Sequence, residues 1–353
     1  MAYRELSLAS LTVVQEVEKS ARSLLDRGYG DNDPVRIGCS GGADSMALTA
    51  AISYLIRRGR WSLGDVDVVV VDHQLQANSD QISRDVAERI RLLGCEVTIA
   101  TVEVNAQGQG IEAAARQARY QALFSSKGQE DNISDNLDLP SRIVATAHTM
   151  NDQAETVLMG LGRGSGIRSM SGMAEFTEFN IGDLNLDSGI SYRGYLWRPL
   201  LNVTRENTRQ ACKDWGIEIW DDPHNLCEDF TRVQVRNRVI PALEECFGSS
   251  VIESLSRTAA MARCDADELD AQARRLPIDQ DRLPIDKVID LPIAIGDRII
   301  RRWVISVGAD QPSYHHIQMV RSLIDHWHGQ GPIPLPGGIK IKRVKRFLLV
   351  ENG

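Results

Sequence analysis

The sequence predicts an α/β protein: a Rossmann-like, doubly wound parallel sheet, then a helical segment, then a small α+β unit. Short apolar runs alternate with helical patterns as far as about residue 220, which is the order that builds a parallel sheet. A Gly41-Gly42 turn joins the first apolar run to the first of these helices. Beyond Asp222-Pro223 the strand pattern stops. We therefore expect domains at 1–227, 228–291 and 292–353.

Apolar spacing assigns the individual elements. An amphipathic helix occupies the first 30 residues, with Val14, Val17, Ala21 and Leu24 on one face. Two polar stretches, 126–142 and 172–193, are predicted to be irregular. The predicted strands are Val35–Cys39, Val66–Val71, Glu96–Val102, Ile143–Ala147 and a short one at Ile217–Trp220. The later helices are predicted at 204–215, 228–273, 293–306 and 313–328, with a terminal hairpin around 339–350.

Composition limits the class of protein. With 42% hydrophobic and 25% charged residues and no long apolar run, the chain has the composition of an ordinary soluble protein and no membrane partner is expected. The N-terminal residues lack a signal-peptide pattern. The six cysteines form no C-x-x-C pair, which argues against a zinc or disulfide framework and favours a cytoplasmic location.

Charge is unevenly distributed along the chain. The formal net charge is −8, yet the segment from Arg298 onward has an excess of six positive charges, several of them in Lys340–Arg346. An acidic body with a basic tail is suited to docking one defined polyanion at one place.

The most informative stretch is Ser40-Gly41-Gly42-Ala43-Asp44-Ser45, between a strand and a helix. Adjacent glycines let the backbone approach an anion, and N–H groups at the helix start bind phosphate oxygens. Asp44 would repel a triphosphate unless it holds Mg²⁺. No Lys follows the glycines, so this is not the GxxxxGK[ST] loop. The alternative is an ordinary turn.

A second motif runs from His148 to Thr156, at the end of the fourth strand. Asp152 and Glu155 are three residues apart on a predicted helix and so share a face. Such a pair could bind a metal, act in acid–base chemistry or clamp a cation. The alternatives are acids favoured by the helix dipole and a hydrogen-bonded strand-end histidine.

Together these motifs resemble the tRNA(Ile)-lysidine synthetase family, part of the pyrophosphate-loop superfamily with an adenine nucleotide alpha-hydrolase type of fold. The His148 motif is the more specific of the two. After Asp72-His73 the family usually shows Gly-Leu-Arg, whereas this chain has Gln74-Leu75-Gln76. Further matches are Val71-Asp72-His73, Gly110–Tyr120, Gly162–Gly166, Arg198–Leu201, Asp222–Asn225, Arg232, Arg236-Asn237, Trp327–Gly331 and Leu335–Gly338.

The resemblance implies a reaction in two steps. ATP adenylates the ring carbonyl oxygen of the wobble cytidine in an isoleucine tRNA with the CAU anticodon, and pyrophosphate leaves. The amine of free L-lysine then attacks that carbon, and AMP leaves. ATP and Mg²⁺ are the implied cofactors.

The resemblance also implies roles for named residues. The 40–45 loop binds ATP, with Asp44 as metal ligand and catalytic residue, and His148 and Arg116 are also catalytic. Asp152 and Glu155 bind lysine. For the arginines, the alternative is solvated surface charge. The implied tRNA-binding residues are Arg119, Arg198, Arg232, Arg236, Lys340, Lys342 and Arg343.

Two other functions are open on the residues alone. A tRNA thiolase of the same superfamily would be expected to have paired cysteines. A noncatalytic nucleotide-sensing or RNA-binding module would need no acidic pair. The sequence leaves the oligomeric state open, with a homodimer as one option.

Overall fold

A computed structural model describes residues 6–76, 78–104, 111–124, 142–164, 166–180, 193–221 and 230–351. The helices are α1 Leu8–Leu25, α2 Ala43–Arg57, α3 Ser79–Leu92, α4 Ile111–Phe124, α5 Met150–Gly162, α6 Ile167–Met170, α7 Arg205–Trp215, α8 Thr231–Gln234, α9 Ile240–Phe247, α10 Val251–Arg274, α11 Ile293–Ser306 and α12 Tyr314–Asp325. A π-helical stretch, Val235–Val239, links α8 to α9. The strands are β1 Val35–Gly38, β2 Val66–Asp72, β3 Glu96–Thr101, β4 Arg142–Ala145, β5 Phe176–Asn180, β6 Arg193–Trp197, β7 Arg282–Pro284, β8 Ile333–Pro334, β9 Lys340–Val344 and β10 Phe347–Val350.

The larger sheet has the strand order β3-β2-β1-β4-β6-β5. Its strands are parallel except β5, which runs antiparallel to β6. Ile37 of β1 lies in register with Val68 of β2 on one side and Ala145 of β4 on the other. The chain order reverses between β1 and β4, and ligands bind at such a switch point, beyond the carboxyl ends of the strands. The predicted doubly wound sheet is confirmed.

Both faces of this sheet are buried, as a parallel sheet requires. Val68 and Val70 of β2 face a large core that includes α1, α2, α3 and α7. Val69, between them, faces a smaller core with Leu123 of α4. Alternate side chains of one apolar run thus fill two cores, which explains why β2 reads as continuously apolar.

A smaller, antiparallel sheet has the order β7-β10-β9-β8. It shares a core with α11 and α12, centred on the fully buried Trp303, Val320 and Leu348. The predicted helix 293–306 and hairpin 339–350 are both present, and Ser313 caps α12 with a reciprocal capping box to His316. Helix α12 ends at Asp325 rather than at 328.

The chain forms two compact units. One contains Met1–Glu155 and Met173–Glu253, and the other contains Thr156–Gly172 and Ser254–Gly353. The three sequence domains at 1–227, 228–291 and 292–353 stay a prediction. No helix in the described part of the chain is long and apolar enough to cross a membrane.

Three predictions about elements were wrong. The stretch 172–193 contains β5 and the start of β6, whose polar residues lack strand alternation. The Pro-containing stretch from Leu276 to Pro292, which the sequence predicts as a linker, contains β7. Residues 217–220 form no strand, because β6 already occupies the sheet position next to β4. The predicted loop at 126–142 lies, apart from residue 142, outside the described residues.

Candidate active site

The phosphate loop follows β1 and ends as α2 begins at Ala43. Gly41 has φ +82°, in the left-handed region, and a Cβ there would lie 2.4 Å from Cγ2 of Val86. Glycine is therefore required at this position. Gly42 has φ −71° and space for a Cβ. Of the two adjacent glycines, only Gly41 thus adopts a backbone conformation that other residues avoid.

Hydrogen bonds hold the loop in shape. The hydroxyl of Ser45 donates to the carbonyl oxygen of Gly42 at 3.0 Å and accepts the N–H of Ser40 at 3.2 Å. The N–H of Trp220 donates to the carbonyl oxygen of Gly41 at 2.9 Å. The segment that we predicted as a fifth strand therefore supports the loop from outside the sheet. Ser40 is exposed, and the first turn of α2 leaves N–H groups for an anion.

Asp44 lies in the first turn of α2, with 24% of its side chain exposed. The hydroxyl of Thr208 donates to its Oδ1, and Nε of Arg205 lies 3.5 Å from its Oδ2. Burial raises the pKa of Asp44, and these two partners oppose that rise. The carboxylate is accessible, as a metal ligand must be.

Asp152, near the start of α5, uses its two oxygens differently. Oδ2 accepts the N–H and the hydroxyl of Thr149, each at 2.8 Å. Oδ1 lies 3.2 Å from Nη2 of Arg205 and 4.0 Å from Nη2 of Arg236. Burial alone would raise the pKa of Asp152, but Arg205, His148 and Thr149 hold it below its ordinary value.

Glu155 is fully buried, and three arginines surround it. Arg236 binds both of its oxygens, with Nε 2.7 Å from Oε1 and Nη2 3.1 Å from Oε2. Nη1 of Arg205 lies 3.4 Å from Oε1, and Nε of Arg232 lies 3.6 Å from Oε2. The acids predicted to clamp lysine are thus paired with cations of the same chain, and their contact with lysine stays a prediction.

His148 follows β4 and bonds through Nδ1 to the hydroxyl of Thr146 at 3.0 Å. Burial lowers the pKa of His148 to about 4; Asp152 opposes the shift, while the charges of Arg198, Arg116 and Arg232 add to it. The imidazole is therefore neutral at physiological pH. Its predicted catalytic role stays a prediction.

The remaining predicted arginines of this unit have different surroundings. Arg116 is exposed on α4 with its guanidinium 5.0 Å from the ring centroid of Tyr120. Arg119 is also exposed, with Nε 3.4 Å from Nε2 of His73. Arg198 is buried, and its Nη1 donates to the carbonyl oxygen of Ala174 at 2.6 Å. Arg198 thus supports the segment around β5, and its contact with tRNA stays a prediction.

The basic tail has fewer available charges than its composition suggests. Arg343 donates to the carbonyl oxygens of Leu323 and Ile324 at 2.8 and 3.2 Å, which caps α12. Nζ of Lys342 lies 3.4 Å from Oε1 of Glu351. Lys340 is exposed at the start of β9.

Lys345 and Arg346 form the exposed turn between β9 and β10. Neither side chain pairs with another group within the described ranges, and Lys345 has φ +56°. This turn was not among the predicted tRNA-binding residues, although both belong to the basic run that the sequence singled out.

Sequence reasoning missed Arg205 and Thr208 of α7, which bind the two oxygens of Asp44. One signal was present. Arg205 is the first residue of a helix, where the dipole disfavours a cation, so a nearby carboxylate was to be expected. The predicted role of Arg232 and Arg236 as tRNA ligands also gave no hint that both contact Glu155. The Asp222–Asn225 motif lies outside the described residues.

Comparisons with known proteins agree with this arrangement. Residues 13–243 match the PP-loop domain, and residues 283–348 match the TilS substrate binding domain. The tRNA(Ile)-lysidine synthase of Rhodococcus erythropolis is 40% identical over 86% of this chain and 84% of its own length. The enzyme of Streptomyces coelicolor is 40% identical over 90% of this chain and 85% of its own. Among solved structures, the U34-tRNA thiolase NcsA from Methanococcus maripaludis is 15% identical over 70% of this chain and 78% of its own, with a TM-score of 0.46, too distant to support an inference.

The sheet, the loop after β1 and the matched domain define an ATP-using enzyme of the PP-loop class. With its substrate-binding domain and with relatives at this identity, the chain belongs to the tRNA(Ile)-lysidine synthase family. It is a tRNA-modifying ligase, as the resemblance implied.

Proposed function

We propose that this protein uses ATP to join free L-lysine to the wobble cytidine of an isoleucine tRNA with the CAU anticodon. Adenylation of the ring carbonyl oxygen releases pyrophosphate, and attack by the lysine amine at that carbon releases AMP and a proton. One observation carries the proposal. The phosphate-loop carboxylate Asp44 and the α5 carboxylates Asp152 and Glu155 converge on the same guanidinium, that of Arg205.

This convergence is what a two-step ligase needs. The group that leaves in the second step is the AMP attached in the first, so the amine must attack the ring carbon whose oxygen received the α-phosphate. Asp44 serves the adenylation step, and Asp152 and Glu155 serve the amine step. Because all three lie within reach of Arg205, both steps can take place at the same site. A protein that only senses nucleotides would not need the acidic pair on α5.

The loop residues have the chemistry to hold the nucleotide. Backbone N–H groups at the start of α2 and the exposed hydroxyl of Ser40 are donors for the β- and γ-phosphates. Arg116, exposed on α4, can neutralise charge on the α-phosphate.

Asp44 suits Mg²⁺ because its carboxylate is partly exposed next to the phosphate loop. The described residues contain no ready-made group of three metal ligands. The remaining ligands of Mg²⁺ would therefore be substrate phosphates and water, as is usual for this ion. When bound, it supplies positive charge against the phosphate oxygens.

On the amine side, we assign Asp152 and Glu155 to the ammonium group of lysine. Arg205 and Arg236 then have to yield part of their contacts when lysine binds. His148 is neutral at pH 7, so it is suited to accept a hydrogen bond or a proton as the amine attacks.

For tRNA, we assign Arg119 on α4 and the basic tail, with Lys340, Lys345 and Arg346 as its accessible charges. Guanidinium and ammonium groups bind the phosphate backbone without reading sequence, so they position the anticodon. Five predicted tRNA ligands are paired within their own unit, and we assign to each the support of that unit: Arg198, Arg232, Arg236, Lys342 and Arg343. From the sequence alone, we further propose a cytoplasmic location, a homodimer and the division into three domains.

The deciding experiment supplies radiolabelled lysine, ATP and Mg²⁺ with an unmodified CAU-anticodon transcript. Label should enter the RNA, and release of AMP should require both lysine and tRNA. A transcript with uridine at the wobble position is the matched control and should take up no label. Equal labelling of both transcripts, or AMP release without lysine, would reject the proposal.

A further inference from the structure

Arg205 connects two parts of the site that the chain supplies separately. Its Nε lies 3.5 Å from Oδ2 of Asp44, next to the phosphate loop. Its Nη2 lies 3.2 Å from Oδ1 of Asp152, and its Nη1 lies 3.4 Å from Oε1 of Glu155. Each nitrogen of one planar fork thus faces a different carboxylate.

The local structure holds this side chain in a place that disfavours a cation. Arg205 begins α7, where the helix dipole is positive. Its N–H donates to Oδ1 of Asn151 at 2.9 Å, which ties the start of α7 to α5. Three residues later, the hydroxyl of Thr208 binds the other oxygen of Asp44. Helix α7 therefore contacts Asp44 with two side chains, and it contacts α5 with the backbone N–H and the side chain of Arg205.

Among the described cations, Arg205 alone contacts both Asp44 and the acids of α5. Arg236 reaches Asp152 and Glu155, and Arg232 reaches Glu155. Of the three carboxylates that Arg205 contacts, Asp44 is the most exposed at 24%, so a metal ion can reach it while the contacts to the α5 acids persist.

We propose that Arg205 is a positioning residue, a built-in cation that bridges Asp44 to Asp152 and Glu155 in the substrate-free enzyme. It holds the place that the cations of the reaction take over. Asp44 would be the ligand for Mg²⁺ and the α5 acids would bind the lysine ammonium, and the part concerning lysine rests on the proposed function. Without a bound cation, three carboxylates this close would repel one another, and Arg205 keeps them oriented until substrates arrive.

The proposal makes a prediction opposite to that of a merely structural arginine. Removing a positive charge next to Asp44 should strengthen the binding of another cation there, even though the variant is less active. A side chain that only stabilised the fold would, on removal, weaken cation binding and activity together.

The test measures binding of Mn²⁺ alone to the nucleotide-free full-length protein, by electron paramagnetic resonance. Arg205→Gln should bind Mn²⁺ at least tenfold more tightly than wild type. Arg209→Gln is the matched control, since this arginine is on the same helix and pairs with Asp221 outside the cluster. It should match wild type. An increase in Mn²⁺ affinity of less than tenfold in Arg205→Gln, or a decrease, would overturn the proposal.

Two further measurements keep the test decisive. If Arg205→Gln does not fold, Arg205→Lys replaces it, because one amine faces fewer carboxylates than a fork and Mn²⁺ affinity should rise about threefold. Unchanged Mn²⁺ affinity in the lysine variant would then overturn the proposal. Where Arg205→Gln folds, Mn²⁺ should raise its melting temperature more than that of wild type; an equal or smaller rise counts against the proposal.

The part of the proposal that concerns lysine is tested with preformed adenylated tRNA. Transfer of lysine should slow at least tenfold in Arg205→Gln and recover in part in Arg205→Lys, and wild-type transfer in Arg205→Gln would overturn this part. A wild-type enzyme that forms no lysidine would reject the proposed function and leave the Mn²⁺ result standing, so the two failures are distinguishable.

Discussion

Substitution of Glu155 by glutamine removes a buried charge on which three arginines converge. Glu155 is fully buried, and arginines at 2.7, 3.1, 3.4 and 3.6 Å take up both of its oxygens. Glutamine keeps the shape and one acceptor oxygen. It removes the negative charge and directs an N–H₂ group at guanidinium donors. Arg236 then loses the carboxylate that it contacts at 2.7 and 3.1 Å, and Arg232 loses the carboxylate at 3.6 Å.

The magnitude follows from the burial of the carboxylate. Breaking a buried ion pair by removing one partner costs about 3–5 kcal/mol. The arginines are 23–30% exposed and can turn toward water, so we take the lower end, about 3 kcal/mol. For a unit of this size, that corresponds to a fall in melting temperature of about 6–12 °C.

The assay is thermal and urea unfolding at pH 7, with Glu16→Gln as the matched control. Glu16 pairs with the exposed Lys19 at 3.3 Å on the surface of α1, so its neutralisation should cost less than about 1 kcal/mol. A double variant, Glu155→Gln with Arg236→Gln, should recover at least about 1 kcal/mol, because the guanidinium that contacted Glu155 most closely no longer faces a neutral side chain. If Glu155→Gln unfolds within 2 °C of wild type, or the second substitution adds its full cost, the reasoning is wrong.

The same variant also tests the amine step. Adenylation depends on ATP, Mg²⁺ and cytidine, so adenylated tRNA should accumulate in Glu155→Gln and in Asp152→Asn. Lysine transfer should fall by at least tenfold in both. Loss of the adenylated species would instead assign these acids to the metal.

Four further outcomes are expected. Asp44→Ala should abolish pyrophosphate release with little change in melting temperature, because its carboxylate is partly exposed; activity within a few-fold of wild type would refute the metal role. Lys345→Gln with Arg346→Gln should weaken tRNA binding and flatten the log affinity–log salt slope by about one unit per lost contact, whereas Lys213→Gln on α7 should change neither. Gln74→Gly should stabilise the protein by up to about 1 kcal/mol, since Gln74 has φ +54°, whereas Gln76→Gly should not. The lowered pKa of His148, about 4, means that wild type loses stability as pH falls from 6.5 toward 4, by up to about 3 kcal/mol, and His148→Gln should be spared this loss in unfolding curves at pH 7 and pH 4.5.

The sequence predicted the elements of the larger sheet correctly where a segment is apolar and has clear start and stop signals. Strands β1 and β2 and helix α7, with its Thr204 cap and Gly216 end, appear within a residue or two of the predicted bounds. Strands β5 and β6 were missed because polar residues such as Thr177 and Glu178 make the stretch look irregular, and pairing with a neighbouring strand decides its conformation.

The site was predictable to the extent that local sequence determines it. The loop and the α5 acids each lie in one contiguous motif, and their approach follows from the switch between β1 and β4. The sequence could not show which arginines contact Glu155, since Arg205, Arg232 and Arg236 lie 50 to 81 residues away from it. In addition, Arg236 lies in the π-helical turn Val235–Val239. A π-helical turn shifts which side chains face inward, and the apolar pattern does not encode that shift.

The tail shows why a count of charges is not a map of surface potential. The sequence predicts an excess of six bases after residue 297 and, from it, a docking site for a polyanion. Arg321 is buried between Asp297 and Asp325, Arg301 donates to the carbonyl oxygen of Pro312, and Arg343 caps α12. Arg321 is therefore neutralised within its own unit, whereas Arg301 and Arg343 keep their charge but are held by carbonyl oxygens of the same unit. The polyanion site is therefore reduced to the charges that remain at the β9–β10 turn and at Lys340, and the salt slope of tRNA binding should count those contacts rather than the formal excess.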